Sequence, residues 1–153
     1  MILELFLRGC DSLAAKLGRS RLSAPHLQLG ERGEEAAAFH LRRLGYVVVA
    51  RRWRSYRHPG DVDLIAWEGS TLCFIEVKAR SSHAVAEAET AVDRDKRRNL
   101  RRIARHYMRY FPVDYCEARF DVVTVYFKEK SAPEFHLFRG AFGWSEHREG
   151  EWR

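Results

Sequence analysis

Two stretches of sequence, Gly60-Asp61-Val62-Asp63-Leu64-Ile65 and Phe74-Ile75-Glu76-Val77-Lys78, decide the fold of this chain. The second belongs to a largely apolar run over residues 72–79, which predicts a β-strand covered on both faces. Glu76 and Lys78 interrupt that run two residues apart, so their side chains share one face of the strand, about 6–7 Å apart. Desolvating an unpaired ion costs roughly several kcal/mol. Charges in such a strand therefore indicate a functional site.

The composition predicts one globular domain with a polyanionic partner. The chain has 153 residues, of which 46% are hydrophobic, so a sizeable core can be buried. Its formal net charge of +6 favours nucleic acid as the partner, with an anionic membrane surface second.

Cysteine usage and hydropathy predict a cytoplasmic protein. The three cysteines are far apart without CxxC spacing, which fits a reducing compartment and argues against a disulfide framework or a zinc site. We expect no transmembrane segment, because no apolar run approaches the roughly 20 residues that span a bilayer. A cleaved signal peptide is not expected either.

The order of elements predicts an α/β fold, a sheet flanked by helices. We expect an N-terminal amphipathic helix and linker over 1–25, a domain over 26–142 and a charged tail over 143–153. The first helix, over 2–17, packs on the domain or on a second copy, or else binds a membrane or partner. The domain is predicted to contain a helix from about 26 or 33 to 44, strands over 46–50, 62–67 and 72–79, a helix over 92–110, and strands over 120–127 and 134–139, with loops over 51–60 and 81–91.

Both predicted helices of the domain carry a charge on their buried stripe. Glu34 shares its stripe with the apolar residues Ala37, Ala38, Leu41 and Leu44, although a first-turn acid is also favoured by the helix dipole. Lys96 lies on the stripe of Val92, Leu100, Ile103 and Tyr107. The remaining surface of that helix is rich in arginine, which fits a solvated face and a phosphate-tracking surface equally well.

We therefore expect Glu34, Asp63, Glu76, Lys78 and Lys96 to converge. A purely structural alternative pairs Lys78 with Asp63 or Glu76 on a neighbouring strand. Clustered carboxylates suit a hard divalent cation such as Mg²⁺ or Mn²⁺. A lysine beside such a cation can orient or deprotonate an attacking water.

The motifs resemble those of a known family. Asp63 followed by Glu76-Val77-Lys78 resembles the PD-(D/E)xK core of restriction-endonuclease-like nucleases. The larger set resembles the YraN-type family, which is related to archaeal Holliday-junction resolvases. It consists of Gly30-x-x-Gly33-Glu34-x-x-Ala37, Leu44-Gly45-Tyr46, Gly60-Asp61-Val62-Asp63-Leu64-Ile65, Glu76-Val77-Lys78-x-Arg80, Lys96 and Gly140-Ala141-Phe142.

This resemblance implies a restriction-endonuclease-like mixed sheet and a set of site residues. Asp63 and Glu76 would be metal ligands together with the backbone carbonyl of Val77, and Lys78 would sit beside the attacking water. Glu34 would complete the catalytic carboxylates. Asp61, where the family usually has glutamate, and Lys96 would support the site.

Three hypotheses follow for the function. The first is a metal-dependent nuclease acting on DNA rather than RNA, on branched or structured sites, with a homodimer supplying two active sites. The second is a nucleic-acid-binding module without catalysis, and the third is an interaction protein that docks through the 2–17 helix. Trp53 either stacks on nucleic acid or faces the core. The predicted nucleic-acid-binding residues are Arg52, Arg54, Arg57, Arg80, Arg94, Arg98, Arg101 and Arg105.

Overall fold

A computed structural model describes residues 25–81, 92–111 and 116–145. They form seven elements: α1 (Pro25–Arg43), β1 (Val47–Arg54), β2 (Asp61–Glu68), β3 (Thr71–Arg80), α2 (Arg94–Tyr110), β4 (Glu117–Tyr126) and β5 (Glu134–Phe142). The predicted α/β class is confirmed. The predicted helix over 2–17, most of the 81–91 loop and most of the C-terminal tail lie outside the described residues.

The five strands form one mixed sheet in the order of the chain, β1-β2-β3-β4-β5. The β3–β4 pair is parallel and the other pairs are antiparallel. Because a parallel pair needs a long crossover, α2 lies in the connection between β3 and β4. The predicted turn between β2 and β3 is confirmed, and Gly69 supplies its positive φ of 58°.

A hydrophobic core lies on each face of the sheet. On one face, Leu100, Ile103 and Tyr107 of α2 pack over Phe74 and Phe120 with their buried neighbours. On the other face, α1 packs through Ala37, Ala38 and Leu41 over a second set that includes Ile75. The central strand β3 is therefore covered on both sides, as its apolar run predicts.

The structure corrects two details of the predicted helix–strand unit. β1 continues to Arg54, so the loop expected over 51–60 begins only at Ser55. Pairing of Arg51 with Leu64 and of Trp53 with Val62 outweighs the polar character of this segment. Leu44, expected in the core, is exposed because α1 ends at Arg43 and the chain turns at Gly45, whose φ is +92°.

Two further features bear on the limits of the domain. Trp144, in the expected tail, packs on Phe120 and donates from its indole nitrogen to the Ala118 carbonyl at 2.8 Å. The core therefore reaches beyond residue 142. Within the described ranges, no helix is both long enough and apolar enough to cross a membrane.

Candidate active site

The site begins where β2 and β3 stop pairing. The ladder between them ends at Leu64 and Ile75, one residue from Asp63. There the Oδ2 atom of Asp63 accepts a hydrogen bond from the backbone N–H of Val77 at 2.7 Å. The Asp63 carboxylate thus replaces a backbone partner and lies between the two strands.

The local backbone explains why Asp63 can do this. Val62 and Leu64 would share a face in a regular strand, but they pack into opposite cores. Alternation is therefore broken at Asp63. Across from it in the register of β1 and β2 lies Arg52, whose φ of +47° is in the left-handed region that non-glycine residues seldom adopt. Such strain is concentrated at functional sites.

Glu76 on β3 faces α2 and meets Lys96. The Lys96 Nζ atom lies 3.2 Å from Oε2 of Glu76, and the side chain of Glu76 is only 14% exposed. That Oε2 atom is buried, and its contact with Lys96 does not have the geometry of a hydrogen bond. A buried carboxylate oxygen without a hydrogen bond is uncommon in a folded protein and can act as a ligand for a cation.

The electrostatics of the cluster show an excess of negative charge. Burial, followed by the charge of Glu76, raises the pKa of Asp63 to about 8, although the Val77 N–H and Lys96 oppose the shift. Burial lowers the pKa of Lys96, but the charges of Glu76 and Asp63 outweigh burial and raise it overall. Two acids therefore share one ammonium group. This is the condition under which an additional cation is stabilised.

The structure places the other predicted catalytic residues around this pair. Glu34 is largely buried, as predicted, but its Oε2 atom accepts from Nε of Arg52 at 2.5 Å. Its charge is the last of the causes that raise the pKa of Asp63. Lys78 lies two residues beyond Glu76 on the same strand face and is partly exposed. Asp61 forms an ion pair with Arg54 at 3.6 Å.

Close packing of α1 on β3 positions Glu34. A Cβ atom built on Gly33 would lie 2.5 Å from the Cβ atom of Ala79, so only glycine allows this approach. The motif Gly33-Glu34 therefore combines a contact residue with the acid it places. The predicted convergence is confirmed for Asp63, Glu76 and Lys96, whereas Glu34 is held at the margin by Arg52.

The predicted nucleic-acid-binding arginines fall into three groups. Arg52 and Arg54 form the ion pairs described above, and Arg80 donates to the carbonyl of its neighbour Ala79 at 3.2 Å. Arg101 is buried, and its Nε atom donates to the carbonyl of Gly143 at 2.8 Å, so it fixes the chain rather than facing solvent. The remaining members, Arg57, Arg94, Arg98 and Arg105, are exposed to solvent.

Some contacts were not predicted from the sequence. Trp53 faces the core, the second of its two alternatives, with its ring edge-on to Tyr107 at 5.1 Å. Ser55 Oγ lies 2.6 Å from Nδ1 of His106 on α2.

A second cluster of charge was also not predicted. Asp121 is fully buried within β4 and pairs with Arg119. An acid inside the apolar run of β4 is the same signal as Glu76 in β3 and could have identified this second cluster.

The residues present fit a divalent cation of the magnesium type. Within the described part of the chain, no group of three or more His, Cys, Asp or Glu side chains forms a complete ligand cage. Mg²⁺ is commonly held by one or two carboxylates, with water and substrate phosphates completing its shell. Asp63 and Glu76 match that partial set, since Oε2 of Glu76 is buried and contacts Lys96 without hydrogen-bond geometry.

The fold and the site define a class of protein. A mixed five-stranded sheet between two helices, with an acid where the central strands separate and Glu-x-Lys on the next strand, is the restriction-endonuclease-like arrangement. The sequence matches the family described as Uncharacterised protein family UPF0102 over residues 33–125. The chain belongs to this family, which confirms the YraN-type resemblance.

Relatives match over most of their length. The UPF0102 protein of Koribacter versatilis is 45% identical over 140 residues, covering 89% of this chain and 96% of the relative. That of Solibacter usitatus is 42% identical over 129 residues, covering 84% and 94%. That of Rhodococcus opacus is 37% identical over 119 residues, covering 78% and 99%. The similarity therefore covers most of this chain and nearly the whole length of each of these relatives.

Proposed function

We propose that this protein is a metal-dependent nuclease that hydrolyses phosphodiester bonds in DNA, with branched or otherwise structured DNA as its substrate class. The observation that carries the proposal is the placement of Asp63 and Glu76 at the separation of β2 and β3. Burial and the charge of Glu76 raise the pKa of Asp63 there, and Lys96 forms an ion pair with Glu76. A structural ion pair gains nothing from the second acid, whereas a cation site requires it.

Each side chain of the site has a separate role in the proposed hydrolysis. Asp63 and Glu76 would hold the cation, with the Val77 carbonyl assigned by resemblance as a third ligand. Bound Mg²⁺ or Mn²⁺ would supply positive charge at the phosphate and make a bound water more acidic. Lys78, which lies on the same strand face as Glu76, would orient the attacking water. Lys96 balances the charge of Glu76, and Asp61 lies at the start of β2 in a supporting position.

Exposed arginines supply the electrostatic attraction for the strand. Arg57, Arg94, Arg98 and Arg105 are exposed to solvent, and neutralising phosphates with such groups gives strong, salt-dependent binding. Two copies of the protein would present two sites, as symmetric cutting of a four-way junction requires. A homodimer is therefore part of the proposal.

The test is cleavage of labelled single-stranded, duplex and four-way-junction DNA with Mg²⁺, Mn²⁺ or chelator. We expect metal-dependent cutting by the native protein and a loss of about 100-fold or more in Glu76→Gln and Asp63→Asn. Glu117→Gln is the matched control, because Glu117 is an exposed acid at the start of β4. Equal cutting by Glu76→Gln and the control would refute the assignment of the site.

The alternative is a nucleic-acid-binding module with a nuclease-like fold and no turnover. The ion pair of Glu34 with Arg52 favours it, because one of the three expected acids is already neutralised. Such a module retards DNA without cutting it, and retardation is unchanged by chelator or by Glu76→Gln. The same experiment therefore separates the two functions.

A further inference from the structure

A basic pocket lies apart from the acidic cluster, between the loop after β1 and the C-terminal half of α2. Its cavity is about 330 Å³. Lys96 and His106 are ten residues apart on α2, which corresponds to about 15 Å along the helix axis. The residues that define the pocket here are Tyr56, Arg57, Arg102, Arg105, His106 and Arg109.

The charge of this pocket is uncompensated. Four arginines line it, and no aspartate or glutamate is among the lining residues. Within the described ranges, none of these arginines forms an ion pair with an acid. Three come from one face of α2, at positions 102, 105 and 109, and the fourth comes from the loop. A helix face that only keeps the protein in solution does not need a fourth arginine brought to it from another element.

The loop is fixed to the helix rather than left loose. Ser55 Oγ lies 2.6 Å from Nδ1 of His106 and also accepts the backbone N–H of Arg57 at 3.1 Å. The ring of Tyr56 stands edge-on to that of His106 with centroids 4.9 Å apart. A loop fixed in this way keeps Tyr56 and the backbone of Arg57 at the pocket, which lowers the ordering cost of binding an anion.

The side chains that line the pocket indicate which kind of ligand it binds. Several guanidinium groups around one cavity suit the dianionic phosphate at a strand end better than a singly charged internal phosphodiester. Tyr56 is 76% exposed, and the guanidinium of Arg57 lies 5.4 Å from its ring centroid. An exposed aromatic ring beside a phosphate site provides a surface on which a base can stack. Burial and the positive charges of Arg57, His58 and Arg109 also lower the pKa of His106, which agrees with an unneutralised basic site.

We propose that this pocket binds the terminal phosphate of a nucleic-acid strand, with the terminal base stacked on Tyr56. The identity of the polymer rests on the proposed function, but binding requires neither the acidic cluster nor a metal. In a duplex, where successive phosphates of one strand rise by about 3.4 Å along the helix axis, 15 Å along that axis corresponds to about four base pairs. A strand end held here would set the distance from that end to the acidic cluster.

The experiment measures fluorescence anisotropy of a labelled ten-nucleotide single strand, in chelator, carrying a 5′-phosphate, a 3′-phosphate or no terminal phosphate. We expect one terminal phosphate to tighten binding by about 10-fold, and inorganic phosphate to compete with that increment. The double variant Arg102→Gln/Arg109→Gln should lose the increment. The control Arg42→Gln/Arg43→Gln removes the same charge from exposed positions at the end of α1 and should keep it.

Stacking is tested separately at Tyr56. Tyr56→Phe should retain the affinity for the phosphorylated strand, whereas Tyr56→Ala should weaken it by about 5-fold or more. Equal affinity with and without a terminal phosphate, or an increment that survives in the double variant, would overturn the proposal. A uniform loss for all three strands would show a diffuse electrostatic surface instead. Because chelator is present, none of these failures bears on cleavage by the acidic cluster.

Discussion

The sheet carries two clusters of buried charge, and the two differ in how that charge is paired. In the first, Arg119 lies between Asp121 and Glu68, and Arg139 also donates to Glu68. The Oδ1 atom of Asp121 accepts from Nε of Arg119 and also from the backbone N–H of Gly140, both at 2.9 Å. Hydrogen bonds from Arg139 and Arg119 lower the pKa of Glu68 to about 2.

In the second cluster, formed by β2, β3 and α2, the balance is reversed. Asp63 and Glu76 both lie near the ammonium of Lys96, which contacts Oε2 of Glu76 without hydrogen-bond geometry, and burial raises the pKa of Asp63 to about 8. Each cluster contains one aspartate and one glutamate of the sheet, but the first has two arginines and the second has Lys96 of α2. The difference indicates that the first cluster stabilises the fold, whereas the second is an unfavourable arrangement that bound positive charge would relieve.

The largest expected effect comes from breaking the paired cluster. Arg119→Ala leaves the carboxylate of Asp121, which is 0% exposed, with only a backbone donor. We expect the free energy of unfolding to fall by about 3 kcal/mol, measured by urea denaturation. Arg98→Ala, at an exposed position on α2, should change it by less than about 0.5 kcal/mol. Similar losses of stability in the two variants would show that the ion pair of Arg119 with Asp121 contributes nothing specific to stability.

The next effect concerns the close approach of α1 to β3 at Gly33 and Ala79. Gly33→Ala places a methyl group 2.5 Å from the Cβ atom of Ala79. We expect a loss of stability of about 1–3 kcal/mol, seen as a lower midpoint of thermal unfolding. Gly30→Ala is the matched control, since nothing lies within 4 Å of its Cβ atom. It should gain up to about 1 kcal/mol from helix propensity, so gains in both variants would contradict the contact.

The cluster of Asp63, Glu76 and Lys96 should become more stable, not less, when one of its acids is neutralised. Folded Asp63 retains its proton up to about pH 8, whereas the unfolded chain releases it near the ordinary pKa of 3.8. Stability of the native protein therefore falls as pH rises between these values. Asp63→Asn removes this loss and keeps an oxygen for the Val77 N–H. We expect it to stabilise the fold by about 1–2 kcal/mol at pH 8 in chelator.

Thermal unfolding at pH 4 and pH 8 tests this sign. The advantage of Asp63→Asn should be small at pH 4 and largest at pH 8. Added Mn²⁺ should stabilise the native protein in proportion to the logarithm of its concentration, but not the variant. An Asp63→Asn protein that is less stable than the native one at pH 8 would show that the carboxylate is structural, like Asp121.

The elements and the central acids could be predicted from local pattern, whereas the pairing of the acids could not. Apolar runs and the Gly45 and Gly69 turns set the elements, and charges within β3 identified Glu76. The extension of β1 to Arg54 depends on ladder partners in β2, which are distant in sequence. The same applies to Asp121, whose neutralisation by Arg119 and Gly140 appears only when β4 and β5 are assembled. Sequence therefore finds buried charge more readily than it finds the partner of that charge.

The smallest expected effect concerns Glu34. Its ion pair with the partly exposed Arg52 resembles the pairing of Arg119 with Asp121, although Glu34 lies near Asp63. We expect a double-mutant cycle of Glu34→Gln and Arg52→Gln to give a coupling of about 0.2–1 kcal/mol, the usual range for an accessible pair. Glu34→Gln should weaken Mn²⁺ binding by less than about 10-fold, because the charge it removes is already neutralised, whereas Glu76→Gln should weaken it by about 100-fold. Equal losses in a calorimetric titration would instead make Glu34 a ligand, and would mean that Arg52 releases it when the cation binds.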